Sequence, residues 1–137
     1  MTETDFRTLM EEAIAARKNA YAPYSGFRVG AALQTADGEI FRGCNIENAA
    51  FSPTICAERT AFAKAISEGK REFTAIAIAG GKGEKPDPVC APCGVCRQIM
   101  AEFCAPDFQI ILGTPGALQI TSLEALLPLS FSKDGLK

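Results

Sequence analysis

Two short segments, Cys56-Ala57-Glu58 and Pro92-Cys93-Gly94-Val95-Cys96, restrict the folds open to this chain more than any other feature. Both stand where a helix is predicted to begin, and free backbone N–H groups there favour thiolate, the form of cysteine that binds metal. Two such helices aimed at one point would gather three thiolates around a zinc ion and leave its fourth position to water. The Glu58 carboxylate, two residues past the first thiolate, would be near enough to move the protons of that water. The two segments therefore predict a hydrolytic zinc site.

The length and composition indicate a single domain, residues 1–137. The formal net charge of -2, with 47% hydrophobic and 22% charged residues, is ordinary for a soluble globular protein. This charge argues against a dedicated nucleic-acid-binding protein, which normally presents a basic face. The stretch Met1–Asp5 is polar and acidic, unlike a signal peptide, and no apolar run approaches the roughly 20 residues that span a membrane. We therefore expect a cytoplasmic protein.

A closed structural zinc site is the alternative that the cysteine spacing leaves open. Cys90, Cys93 and Cys96 recur at every third position, so Cys90 offers a fourth sulfur. Four protein ligands would leave no position for water, and Glu58 would then be an ordinary solvated carboxylate. A disulfide framework is less favoured, because cytosolic thiols stay reduced and one helical turn places Cys93 and Cys96 on the same face.

The hydrophobic periodicity predicts alternating helices and strands. Apolar residues at three- and four-residue steps indicate an amphipathic helix over 5–20, and Asp37-Gly38 is typical of a hairpin turn. This order of elements indicates an α/β fold of three layers (α/β/α), with helices on both faces of a central mixed sheet of about five strands. The predicted helices cover 5–20, 56–67, 92–104 and 123–127, and the predicted strands cover 28–35, 39–45, 73–79, 108–112 and 118–120.

Two arginines directly follow site residues. Arg59 succeeds Glu58, and Arg97 succeeds Cys96. Three thiolates would carry more negative charge than a zinc ion neutralises, and hydrogen bonds from either guanidinium would draw charge off the sulfurs. We also place Gln98 next to the ligands, without a bond to the metal. A solvated helix arginine is the plain alternative for Arg59 and for Arg97.

Four segments resemble the zinc-dependent cytidine/deoxycytidylate deaminase family, in which His or Cys supplies the first ligand and Glu is not a ligand. The similarity is strongest to the short, homotetrameric type of cytidine deaminase, and it extends to Leu126-Leu127-Pro128 and Phe131. Phe51 departs from the family pattern, since many relatives carry Tyr there. The matching segments are Tyr24-Ser25-Gly26-Phe27-Arg28-Val29-Gly30-Ala31-Ala32, Gly43-Cys44-Asn45-Ile46-Glu47-Asn48-Ala49, Cys56-Ala57-Glu58-Arg59-Thr60-Ala61 and Pro92-Cys93-Gly94-Val95-Cys96-Arg97-Gln98.

The resemblance implies a reaction and the residues that carry it. Cytidine and 2'-deoxycytidine would be hydrolysed to uridine and 2'-deoxyuridine plus ammonia, in pyrimidine salvage. Cys56, Cys93 and Cys96 would hold one Zn²⁺ per subunit. Glu58 would take a proton from water, pass it to the ring nitrogen beside the amino-bearing carbon, and then protonate the leaving amino group. The chain contains no histidine, which suits a mechanism with one carboxylate as base and acid in turn.

The resemblance also implies a set of substrate-binding residues, each of which has a plainer interpretation as a packing aromatic or a polar turn residue. Phe27 would pack against the pyrimidine, and backbone groups around Ala57 would bind its polar edge. Asn45 and Glu47 would hydrogen-bond the ribose hydroxyl. Phe131 would close the pocket of a neighbouring subunit, so a homotetramer with shared sites is expected.

Three other functions stay open. A blasticidin-type antibiotic deaminase resembles this chain around the zinc, although Asn45 and Glu47 favour a nucleoside. A deaminase acting on nucleic acid shares the chemistry, but neither the charge nor the length supports it. A non-catalytic structural zinc module is the alternative from another class.

Overall fold

Five strands and four α-helices form within residues 2–136, which the computed structural model describes; Met1 and Lys137 of the predicted domain 1–137 lie outside this range. The strands are β1 (Arg28–Thr35), β2 (Ile40–Cys44), β3 (Phe73–Gly81), β4 (Gln109–Thr114) and β5 (Ala117–Ser122). The helices are α1 (Glu3–Ala16), α2 (Ala57–Ser67), α3 (Gly94–Phe103) and α4 (Leu123–Leu126), with 3-10 turns at Arg17–Asn19 and Lys133–Leu136.

The strands form one mixed sheet in the order β2-β1-β3-β4-β5. Strands β3 and β4 run parallel, and the other neighbouring strands run antiparallel. The parallel pair is connected through α3, because parallel neighbours need a crossover rather than a tight turn.

The alternation of alanine and isoleucine along β3 separates two core layers. Ala75, Ala77 and Ala79 pack with α1 on one face of the sheet. Ile76 and Ile78 point to the opposite face and pack with α2 and α3. Helices therefore cover both faces, which confirms the predicted α/β fold of three layers.

Gly43 brings the helix of the predicted site close to the sheet. A Cβ atom at position 43 would lie 2.4 Å from the carbonyl oxygen of Ala57 and 2.5 Å from the backbone nitrogen of Ala61. These are backbone atoms of α2, so the helix can approach this closely only because residue 43 has no side chain. Strand β2 thereby fixes the distance between the sheet and the first turn of α2. Cys56 and Glu58 lie at the start of this helix.

The predicted elements agree with the structure except at some ends. The strand 28–35 has its predicted bounds, and the strand predicted over 73–79 continues to Gly81 because it pairs with the start of β1. The helix predicted from 92 begins at Gly94, since the Cys93 side chain caps it by accepting a hydrogen bond from the Cys96 backbone N–H. Among the described residues, no helix combines the length and apolar character needed to cross a membrane.

Candidate zinc centre and active-site cleft

The three predicted metal ligands converge at two helix N-termini. Cys56 is the N-cap of α2, Cys93 is the N-cap of α3, and Cys96 lies in the first turn of α3. The Sγ atoms of Cys56 and Cys93 are 3.6 Å apart, those of Cys93 and Cys96 are 3.2 Å apart, and all three lie within 4.8 Å of one another. Sulfurs that share a tetrahedral zinc at a Zn–S distance of about 2.3 Å stand about 3.8 Å apart. The cluster therefore fits a zinc ion.

Cys90 lies outside this cluster. Among the described residues, the group of side chains that could hold a metal consists of Cys56, Cys93 and Cys96. The Cys90 Sγ packs against Gly80 instead, where a Cβ would come within 2.6 Å of it. Burial, together with the charge of Glu58, raises the pKa of the Cys90 thiol to about 11, so the thiol is protonated at neutral pH. The closed four-sulfur site is therefore not the arrangement of this fold.

Arg59 directs its guanidinium at the first thiol. Its Nη2 donates to the Cys56 Sγ at 3.6 Å and to the Thr54 carbonyl oxygen at 3.3 Å. A hydrogen bond from the Cys96 thiol, supported by Arg59, lowers the pKa of Cys56 to about 5 against the effect of burial. The same interaction, together with burial, raises the pKa of Cys96. A lowered pKa favours the thiolate of Cys56, which is the form of cysteine that binds metal.

Arg97 has a different set of partners. Its Nε donates to the Pro92 carbonyl oxygen at 2.8 Å, and its Nη1 donates to the Leu126 carbonyl oxygen at 2.7 Å. Successive helix residues point about 100° apart, so the residue after Cys96 turns away from the sulfurs. Arg97 therefore holds the backbone in front of Cys93, and Arg59 is the arginine placed to draw charge off a sulfur. Gln98 Nε2 donates to the Phe131 carbonyl oxygen at 2.8 Å.

A mainly apolar cleft of about 200 Å³ opens beside the thiols. Glu58, which is only 4% exposed, lines this cleft together with two of the ligands. Burial raises the pKa of Glu58, and a carboxyl group shifted in that direction is suited to both accepting and releasing protons. The lining consists of Phe27, Val29, Asn45, Thr54, Ile55, Cys56, Ala57, Glu58, Cys90, Ala91 and Cys93.

Asn45 ties the start of β1 to the cleft. Its Nδ2 donates to the Phe27 carbonyl oxygen at 2.8 Å, and its Oδ1 accepts from the Val29 N–H at 2.9 Å. These bonds hold the amide at the cleft wall and use one of its two N–H groups. Three of the predicted substrate-binding residues, Phe27, Asn45 and Ala57, thus lie in one lining.

Glu47 and Phe131 lie outside the lining of this chain's own cleft. Glu47 accepts hydrogen bonds from the backbone N–H groups of Tyr24 (3.0 Å) and Ser25 (3.1 Å) and from the Ser25 hydroxyl. The Ser25 hydroxyl is the main cause of the lowered pKa of Glu47, which keeps this carboxylate ionised. Phe131 is 66% exposed.

Sequence reasoning missed several residues of the cleft wall and its support. Thr54, Ile55 and Ala91 belong to segments without periodicity, which gave no signal. Ser25, which anchors Glu47, stood within a matched segment but had no assigned role. Arg17 occupied a position in the apolar stripe of the first helix, and a charged residue there was a signal that could have been followed.

Known proteins are similar to this chain in sequence and in fold. A family model described as the cytidine and deoxycytidylate deaminase zinc-binding region matches residues 3–112. A cytidine deaminase from Sporosarcina psychrophila is 49% identical over 133 residues, covering 96% of this chain and 95% of that protein. A crystal structure of cytidine deaminase from Burkholderia pseudomallei has a TM-score of 0.84 and 47% identity, covering 96% of this chain and 100% of that chain. A blasticidin-S deaminase from Bacillus cereus is 34% identical over 110 residues, 77% of this chain and 78% of that protein.

Proposed function

This chain belongs to the cytidine and deoxycytidylate deaminase family, and we propose that it hydrolyses cytidine and 2'-deoxycytidine to uridine and 2'-deoxyuridine plus ammonia. One juxtaposition carries the proposal: three thiols that fit zinc stand beside the buried carboxyl group of Glu58 at a single apolar cleft. Relatives of nearly half identity over almost the full length, named cytidine deaminase, support this choice of substrate.

The reaction can be assigned to groups of this chain. Cys56, Cys93 and Cys96 would hold a zinc ion, which would supply a Lewis acid for the activation of water. Glu58 accepts the first proton of the attacking water and delivers it to the ring nitrogen beside the amino-bearing carbon, which becomes electrophilic. The water oxygen bonds to that carbon, and Glu58 passes the second proton to the amino group. The C–N bond breaks, ammonia leaves, and the ring nitrogen keeps its proton.

The remaining cleft residues are proposed to bind and orient the nucleoside. Phe27 packs on the pyrimidine face, and backbone groups at the start of α2, around Ala57, bind its polar edge. The second N–H of Asn45 and the ionised Glu47 bind the ribose hydroxyl. These assignments are supported by the cleft lining for Phe27, Asn45 and Ala57, and for Glu47 by its hydrogen bonds to the turn before Phe27.

The assembly and cellular role are part of the same proposal. We propose a single-domain subunit that forms a homotetramer, with Phe131 closing a neighbour's cleft, and that acts in cytoplasmic pyrimidine salvage. Exposed aromatic side chains support association, since Tyr24 and Phe51 are 54% and 72% exposed and contact each other edge to face. Mass photometry alongside an activity assay tests this: a fully active monomer at high dilution would contradict it.

A blasticidin-type activity is the competing candidate, favoured by the similarity to the blasticidin-S deaminase. The test is an ultraviolet absorbance assay of the purified chain on cytidine, 2'-deoxycytidine and blasticidin S, with zinc measured on the same sample. We expect both nucleosides to be deaminated, and Glu58→Gln to keep zinc while turnover is nearly abolished. Zinc binding without any change in nucleoside absorbance would identify a structural zinc module. Preferential turnover of blasticidin S would show that the antibiotic, and not a nucleoside, is the substrate.

A further inference from the structure

Arg17 is a buried cation that forms hydrogen bonds to backbone carbonyl groups. It is 5% exposed, and the ion pairs of the described residues (Arg42–Glu12, Lys70–Asp37 and Lys70–Glu39) do not include it. A buried charge without compensating partners is strongly destabilising, so its hydrogen bonds must be provided by the surrounding chain. The planar guanidinium can satisfy several acceptors at once, which a single ammonium group cannot do in the same geometry.

The acceptors of Arg17 belong to two separate parts of the chain. Its Nε donates to the Arg28 carbonyl oxygen at 3.0 Å, at the beginning of β1. Its Nη1 donates to the carbonyl oxygen of Glu84 at 3.1 Å, and its Nη2 donates to those of Gly81 and Gly83 at 2.8 Å each. The Arg17 side chain therefore connects the first residue of β1 to the end of β3 and to the loop that follows it.

These two parts lead directly to two neighbouring residues of the cleft lining, Phe27 and Cys90, whose side chains both pack over Gly80. Arg28 follows Phe27, which lines the cleft. The segment after Gly81 folds back through a hydrogen bond from the Asp87 N–H to the Gly80 carbonyl oxygen (2.8 Å) and continues to Cys90 and Ala91 of the lining. Arg17 itself is absent from the lining. It therefore acts on the lining through the backbone next to Phe27 and through the segment that leads to Cys90, and none of its hydrogen bonds reaches the thiols or Glu58.

We propose that Arg17 is a positioning residue that sets the position of Phe27 relative to the Cys90-Ala91 segment, and thereby the binding of the pyrimidine. This inference rests on the proposed function. Its signature is kinetic: substrate binding depends on Arg17, whereas the proton transfers depend on Glu58 at α2, which Arg17 does not contact. A residue that served only to stabilise the fold would lower the melting temperature and leave the kinetics of the folded enzyme unchanged.

The test is Arg17→Lys in the zinc-loaded enzyme, with Arg7→Lys, an exposed position of α1, as the matched control. We expect KM for cytidine to rise about tenfold, kcat to stay within about threefold, and zinc content to stay unchanged, because a small misplacement of binding groups has large kinetic effects. Unchanged KM in a folded Arg17→Lys variant would overturn the proposal.

A second variant and a second readout keep the test decisive. Gly81→Ala places a Cβ 2.8 Å from the Asp87 Oδ1 and 2.9 Å from its backbone nitrogen, which disturbs the same segment with Arg17 intact. We expect the same rise in KM, and an unaltered KM would overturn the proposal if Arg17→Lys does not fold. Amide exchange at Asp87 should accelerate in Arg17→Lys. If the wild-type chain does not deaminate cytidine, the proposed function fails. Unaltered amide exchange at Asp87 in Arg17→Lys would separately refute the positioning role of Arg17.

Discussion

Gly43→Ala should separate the catalytic groups of α2 from those of α3. The new Cβ would lie 2.4 Å from the Ala57 carbonyl oxygen, whereas ordinary contact begins at 3.4 Å, so the helix must retreat by about 1 Å. Cys56 and Glu58 flank Ala57 and move with it, but Cys93 and Cys96 stay on α3. A misplacement of about 1 Å lowers the rate about 100-fold. We therefore expect kcat for cytidine to fall about 100-fold and zinc to be lost more easily to a chelator.

The assay must distinguish this displacement from loss of stability. Overpacking a core costs about 1–3 kcal/mol, so Gly43→Ala will also melt at a lower temperature. Ala75→Val is the matched control, because it overpacks the α1 face of the sheet and should lose stability while kcat is retained. Gly116→Ala is the neutral control, since a Cβ there meets no atom within 4 Å. A folded Gly43→Ala enzyme with wild-type kcat and zinc retention would show that the close approach at Gly43 does not set the position of Cys56 and Glu58.

Three further changes have defined outcomes. Arg59→Ala removes the donor to Cys56 Sγ and should weaken zinc affinity or activity at least about tenfold in a chelator competition and a turnover assay; full retention of both would contradict its role. Removal of zinc by a chelator should abolish deamination, and added Zn²⁺ should restore it; activity that survives with no zinc detected would exclude the assigned chemistry. Asp37 has its pKa lowered from 3.8 to about 2 by Thr35 and Lys70, so its stabilising effect is present above pH 3.8 and is lost as the pH falls through about 2. Melting temperatures of the wild type and Asp37→Asn should therefore differ at neutral pH and converge towards pH 2, and a gap independent of pH would show that the carboxylate charge is not responsible.

Secondary-structure elements that depend on the pattern of neighbouring side chains could be predicted from the sequence. The alternation of Ile and Ala in 73–79 identified a buried strand, because successive side chains of a strand point to opposite faces of the sheet and both faces are apolar here. The cysteine segments identified two helix starts, since N-caps and metal ligands both depend on short-range spacing. The resemblance to a family then joined these segments into a site, which periodicity alone could not do.

Contacts that depend on backbone carbonyl acceptors, or on the direction in which a side chain points, could not be predicted. The acceptors of Arg17 are carbonyl oxygens of a loop, and a carbonyl group has no sequence signature. The sequence left open whether Arg59 or Arg97 would donate to the sulfurs, and Arg97 lies on a side of α3 where it donates to the carbonyl oxygens of Pro92 and Leu126. The spacing of the three cysteines left Cys90 as a fourth ligand, and only the three-dimensional packing against Gly80 separates it from the cluster.

Ser25 explains how an exposed carboxylate outside the cleft lining can act on the site. Its hydroxyl donates to Glu47 and accepts from the Phe27 N–H at 3.0 Å, while the Phe27 carbonyl oxygen accepts from Asn45. The backbone of Phe27 is thus held directly by Asn45 and, through Ser25, by Glu47, and these two residues are proposed to bind the ribose. Residues within one hydrogen-bond network respond together to substitution, so the sugar-binding and base-binding parts of the proposed site form a single unit. A change at Glu47 should therefore alter the binding of the base as well as that of the sugar.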